Sequence, residues 1–156
     1  MDGGDGNDTI RGSSLEDRIR GGRDGDVLDG KEGSDSYVVS GSGPDWVSGV
    51  PYTFEGYDTY SDSGSVGSDE IVAQGVGVVD IGLTGFSIGS GIERIVNATT
   101  KVDGTLGVSQ VRLLGNWQAN TLDFSSVSLL GGNFVMDGGD GNDTIRGSSL
   151  EDRIRG

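Results

Sequence analysis

Large apolar residues return at every ninth position at the start of the chain: Met1, Ile10, Ile19, Leu28 and Tyr37. From Ile10 on, each sits in a three-residue stretch (TIR, RIR, VLD, SYV) preceded by glycine and aspartate. A period of nine is neither the 3.6 of an amphipathic helix nor the simple alternation of a long strand. It predicts short strands separated by turns of fixed length. Aspartate holds the same period, two positions ahead of each apolar residue, at Asp8, Asp17, Asp26 and Asp35. Partial alternation predicts further short strands over 76–96 and 106–114, with Val79, Ile81, Leu83, Val111 and Leu113 facing one way. No segment predicts a helix of useful length.

A second repeat is long. Residues 1–21, MDGGDGNDTIRGSSLEDRIRG, recur without a change as residues 136–156, so that Met136 matches Met1. Identity over 21 residues does not survive drift between old duplicates, so the parent is either a tandem array of nearly identical units or carries an engineered second copy. The array is the favoured reading: one 135-residue unit followed by the start of the next, with adjacent identical units head-to-tail as partners.

Composition changes the picture in one direction. Twenty-five Asp+Glu against 11 Lys+Arg leave a net charge of −14, and only 32% of the residues are hydrophobic. So little apolar surface does not by itself offset the entropy of ordering the chain. The charge disfavours nucleic acid and anionic membrane as partners and favours a cation. Without Cys or His there is no disulfide frame, no usual zinc site and no Ser-His or Cys-His nucleophile. No apolar run approaches the roughly 20 residues that span a bilayer, and no signal peptide opens the sequence. No two acids are placed for glycosidase chemistry, and the chain is expected not to be an enzyme.

Written in nines, the chain begins GGDGNDTIR (3–11), GSSLEDRIR (12–20), GGRDGDVLD (21–29) and GKEGSDSYV (30–38). This resembles the RTX, or haemolysin-type, calcium-binding repeat, whose pattern is G-G-x-G-x-D-x-(large apolar)-x. Residues 3–11 and 138–146 match in full. Residues 12–20 depart at Ser13 and Leu15, residues 21–29 at Asp24, and residues 30–38 at Lys31. The resemblance covers 1–49 and 136–156. It implies an all-β fold, a right-handed parallel β-roll or β-solenoid in which six residues turn, three form a strand, and two nonapeptides make one coil. It also implies secretion of an unfolded chain through a type I channel.

The residue types suit the ion. Glycine permits backbone conformations that aim carbonyls at one point, aspartate adds a carboxylate, and Ca²⁺ takes six to eight oxygens of both kinds. One turn supplies about half a shell, so turns eighteen residues apart would share an ion. Asp8 would then face Asp26, Asp17 would face Asp35, and Asp26 would next meet Asp45. The candidate ligands are the carboxylates of those residues with Asp143 and Asp152 of the copy, and backbone carbonyls at first places (Gly3, Gly12, Gly21, Gly30) and third places (Asp5, Arg23, Glu32, Asp140). Stacked carboxylates repel without metal, so the roll is expected to fold on its ions. At ten times Kd each site adds about 1.4 kcal/mol, so three add about 4 kcal/mol, a large part of a marginal domain's stability.

These readings divide the chain into a nonapeptide roll (1–49), degenerate solenoid coils of the same domain (50–135) and the start of a next unit (136–156). Asp58 and Asp69 sit in G-x-D settings, but their spacing of 11 breaks the period, and they read equally well as ordinary turn residues. The Arg residues at 11, 18, 20 and 23 are expected to neutralise acids on the roll surface. Trp46, Tyr52, Tyr57, Tyr60 and Trp117 read either as coil plugs or as a glycan-stacking platform. The expected function is a calcium-stiffened extension repeat of a secreted or cell-surface bacterial protein. The alternatives are a carbohydrate-binding module of an adhesin or polysaccharide-modifying enzyme, and a folding and secretion module for an attached enzyme.

Overall fold

A computed structural model describes residues 1–42, 54–98 and 107–156. Every strand pairing among them is parallel. Parallel pairing of consecutive short strands requires the chain to wind, and the result is an all-β solenoid whose strands stack in ladders. The sole helical element among the described residues is a 3-10 turn at Ile88–Ser90. No helix among them is long and apolar enough to cross a membrane.

The first ladder stacks β1 (Asp2–Asp5), β3 (Arg18–Arg23), β5 (Ser36–Ser42), the first half of β7 (Glu70–Leu83), β8 (Arg94–Asn97) and β11 (Ser128–Leu130). The second stacks β2 (Thr9–Arg11), β4 (Val27–Asp29) and β6 (Tyr57–Ser61). That side continues through a Phe86–Leu122 bridge to β10 (Thr121–Asp123) and β13 (Thr144–Arg146). A third ladder appears only past the opening roll. It joins the start of β6, the second half of β7, β9 (Val108–Gly115), β12 (Phe134–Asp137) and β14 (Ile154–Arg155).

Inward side chains form columns along these ladders. Ile19, Tyr37, Ile71, Ile95 and Leu129 are in register on the first. Ile10, Leu28 and Tyr60 are in register on the second, and Ile81, Leu113, Met136 and Ile154 on the third. From Ile19 and Leu28 to Met136 these residues are buried, while Ile10 is half-buried and Ile154 exposed. Tyr37 and Tyr60 meet edge to face with centroids 5.9 Å apart. Tyr60 is therefore a coil filler and not a stacking platform. Trp117 is exposed; Trp46 and Tyr52 lie outside the described residues.

Coil length explains why the nine is lost in the middle. Successive coils on the first ladder advance 18 residues from Arg18 to Ser36, 34 from Ser36 to Glu70, 24 from Glu70 to Arg94, and 34 from Arg94 to Ser128. The long coils have three sides where the nonapeptide coils have two. Residues 2–20 occupy the first and second ladders, whereas the identical residues 137–155 occupy the third and second.

Candidate metal centre

Ten triplets share one form, a carboxylate or Asn, then any residue, then an inward apolar residue. They begin at Asp8, Asp17, Asp26, Asp35, Asp58, Asp69, Glu93, Asn120, Asp143 and Asp152. On one edge of the solenoid the Asp8 amide donates to Asp26 Oδ1 (2.8 Å), and the Asp26 amide donates to Asp58 Oδ1 (2.9 Å). On the other edge the amides of Asp17, Asp35 and Asp69 donate to Asp35 Oδ1, Asp69 Oδ1 and Glu93 Oε2, each at 2.7 Å. The Asn120 amide likewise donates to Asp143 Oδ1 (2.8 Å). One carboxylate oxygen per coil thus clamps the coil before it.

The second oxygen decides whether an ion fits. Asp8 Oδ2, Asp26 Oδ2 and Asp35 Oδ2 are buried with no hydrogen-bond partner, in a class of group that is almost always satisfied in folded proteins. The carboxylates of Asp26 and Asp35 are almost wholly enclosed, and burial pushes both up from the ordinary carboxylate range. Each fold-back leaves no room beside the repeat's first residue. A Cβ on Gly21 would stand 2.1 Å from Asp26 Oδ2, and one on Gly30 2.2 Å from Asp35 Oδ2. Lone carboxylate oxygens beside a glycine-lined turn make an all-oxygen environment that suits a hard cation such as Ca²⁺. Other buried acids show the contrast. Asp80 pairs with Arg112 through Nε at 2.5 Å, and Glu55 is held by Arg20 and by the Ser40 amide.

The predicted ligands do not all share this environment. Asp17 Oδ2 accepts from the Ser13 amide (2.6 Å) and the Ser13 hydroxyl (2.9 Å), and these bonds hold its carboxyl below the usual value. Ser13, a departure from the glycine pattern, thus supplies two donors to that carboxylate. In the copy, Ser148 Oγ donates to Asp152 Oδ1 (2.8 Å). Asp143 Oδ2 lies against Gly138 as Asp8 Oδ2 lies against Gly3. Asp5, Arg23 and Asp140 have exposed side chains, and Arg23 pairs with Asp5 at 4.0 Å. Glu32 accepts from the Ser65 hydroxyl (3.4 Å). Gly12 packs against the Gly30 carbonyl. Asp45 lies outside the described residues, and the neighbour that Asp26 finds in the next coil is Asp58.

Backbone geometry persists where the sequence departs from glycine. Lys31, at a second place, has φ 72°, and Asp24, at a fourth place, has φ 76°, beside Gly4 at 100° and Gly6 at 107° in the clean repeat. The period of nine leaves Asp58 and Asp69 undecided and does not reach Asp62, Glu93 or Asn120. The triplet was the available signal. It holds in DEI (69–71), ERI (93–95) and NTL (120–122), where the nine does not. Burial raises Asp58 and Asp69 to about 6 each, with neighbouring carboxylates adding to the shift, and raises Asp62 as well.

A parallel solenoid with aspartate-clamped glycine turns belongs to the class of parallel β-rolls. The model of the RTX calcium-binding nonapeptide repeat matches residues 2–37 and 135–156, in four copies. Residues 2–37 and 135–156 are thus RTX calcium-binding nonapeptide repeats. Comparison with curated proteins and with solved structures returns no match.

Proposed function

We propose that the chain is a calcium-folded extension repeat of a secreted or cell-surface bacterial protein. The observation that carries this reading is the set of buried, partnerless oxygens on Asp8, Asp26 and Asp35. In water each would be solvated, and in the fold each needs a cation. Asp8, Asp26 and Asp35 would hold Ca²⁺ with carbonyls of the glycine turns, and the ion would neutralise the stacked carboxylates. The 21-residue identity of 1–21 with 136–156 supports a tandem array of such units. The net charge of −14 favours an unfolded chain where calcium is scarce and a folded one outside the cell, in keeping with export before folding. Circular dichroism in chelator and in millimolar Ca²⁺ tests this. A gain of β-structure and a higher melting temperature with calcium are expected, and identical spectra and melts overturn the reading.

A carbohydrate-binding role is the second reading. Phe54 and Tyr57 meet edge to face at 5.1 Å and line a cleft with Asn7, Arg23 and Asp24, and Trp117 is exposed. Aromatic faces beside amide and carboxylate groups suit a sugar. Calcium-dependent glycan-array binding lost in Trp117→Ala or Tyr57→Ala would raise this reading above the first.

A further inference from the structure

Asp62 belongs to no nonapeptide, yet the fold brings it to one. Leu28 is in register with Tyr60 and Asp29 with Ser61, and the Gly30 amide donates to the Ser61 carbonyl. Asp62 therefore stacks over Gly30, so that a carboxylate stands where the coil below has its first-place glycine. The turn from Asp62 to Asp69 has eight residues where Gly30 to Asp35 has six. Its backbone still follows the lower turn. Gly64 lies against the Lys31 carbonyl and Gly67 against the Gly33 carbonyl, and the Asp35 amide reaches Asp69 Oδ1.

Three carboxylates converge as a result. One oxygen each from Asp35, Asp62 and Asp69 lies within 4.8 Å of the others. Asp35 is fully buried, and its Oδ2 has no hydrogen-bond partner; Asp62 Oδ1 is also buried and partnerless. Among the described residues no Lys or Arg forms an ion pair with any of the three. Like charges this close repel unless a cation stands between them.

We propose that Asp35, Asp62 and Asp69 form a three-carboxylate divalent-cation site that clamps the first long coil onto the nonapeptide roll. All donors are hard oxygens, which selects Ca²⁺ over softer metals. The stacked nonapeptide turns bring two carboxylates to an ion, and this site brings three. Affinity rises with ligand charge, so this site fills before the others. The identity of the ion rests on the calcium reading above; the primacy of this site does not follow from it. Asp35 closes the last nonapeptide turn, and Asp62 and Asp69 bound the turn of the next coil. Filling the site first therefore orders the junction from which the shorter coils stack.

The test is calorimetric titration of the whole chain with Ca²⁺, repeated with Tb³⁺ luminescence, on the wild type, Asp62→Asn, Asp62→Ser and Asp8→Asn. Circular dichroism at saturating calcium checks that each variant folds. A tight first step in the wild type is expected, weakened about tenfold or more in both Asp62 variants, with the weaker steps retained. Asp8→Asn should lose a weaker step and keep the tight one. Asp62 variants that fold and titrate like the wild type overturn the three-carboxylate site while leaving calcium binding intact. A wild type that binds no calcium overturns the calcium reading as well.

Discussion

The amide of Asp26 donates to Asp58 Oδ1 at 2.9 Å across 32 residues of sequence. The Asp8 amide makes the same bond to Asp26 Oδ1 across 18. Coil length nearly doubles between these two steps, yet the contact is preserved. The clamp thus belongs to the stacked backbone and not to the nine-residue period. It also gives each aspartate two separable tasks, one oxygen for the neighbouring coil and one for a cation.

Separability can be measured at Asp26. In Asp26→Asn, Oδ1 still accepts from Asp8, as the equivalent oxygen of each clamp does, and Asn120 shows that an amide is tolerated at a sixth place, buried and bonded to the Thr84 carbonyl and Asn116. Chelator-state stability should hold or rise in this variant, while the calcium-induced rise in melting temperature shrinks. Asp26→Ala also removes the acceptor for a partly buried amide and should cost about 1–3 kcal/mol with or without calcium. Urea melts of both variants, with and without calcium, distinguish the two tasks.

Acid should stabilise the calcium-free fold over a defined range. Asp58 and Asp69 are raised from 3.8 to about 6 in the folded chain, chiefly by burial. A carboxylate whose folded value is raised contributes stability that is fully present below its unfolded value and lost as pH rises through the folded one. Melting temperature in chelator should therefore fall between pH 5 and pH 7. Calcium takes the deprotonated form, so the calcium-induced shift in melting temperature should grow over the same interval. Thermal melts at pH 5, 6 and 7, with and without calcium, check both slopes.

Lys31 holds a left-handed backbone, φ 72°, at a position where the clean repeat has glycine. Relief of that conformation is worth about 1–2 kcal/mol, against the extra freedom glycine gives the unfolded chain, about 0.4–1 kcal/mol. Lys31→Gly should accordingly stabilise the calcium-bound fold by roughly 0.5–1 kcal/mol, seen as a higher urea midpoint with an unchanged slope.

Gly22 is the converse case. Its φ is 115°, and a Cβ there would stand 2.0 Å from the Gly4 carbonyl oxygen of the coil below. Neither a backbone oxygen nor a parallel ladder can move aside without breaking register. Gly22→Ala should cost about 2 kcal/mol or more, and a melt within 1 °C of the wild type, roughly the error of such a measurement, would contradict the stacking of these two coils.

The opening roll was legible because its coils are all one length. With eighteen residues per turn of the solenoid, Asp8 over Asp26 and Ile10 over Leu28 can be read from spacing alone. Asp45 shows where that method fails. Extrapolating the period past Val39 named it as the next neighbour of Asp26, whereas the structure puts Asp58 there. A coil of 34 residues cannot be distinguished in sequence from a break in the repeat, because the added residues carry no period of their own. The triplets that begin with a carboxylate at Asp58, Asp69 and Glu93, or with the amide of Asn120, survive the change in length, since the clamp and the inward side chain act within each coil.

The sequence by itself determined the local unit: a glycine turn, a carboxylate at its end, and a short strand with one side chain inward. Backbone sterics and burial act within nine residues, so no distant neighbour is needed to read that unit. Only the tertiary structure decided which units meet. It brought Asp62 over Gly30 and beside Asp35 and Asp69, residues 27 and 34 positions removed from Asp35 along the chain. It also set the outer strands of residues 1–21 and 136–156, identical in sequence, on different ladders, while their middle strands share the second. Parallel register is fixed by hydrogen bonds to whatever coil lies below, and two identical strands above different coils take different neighbours.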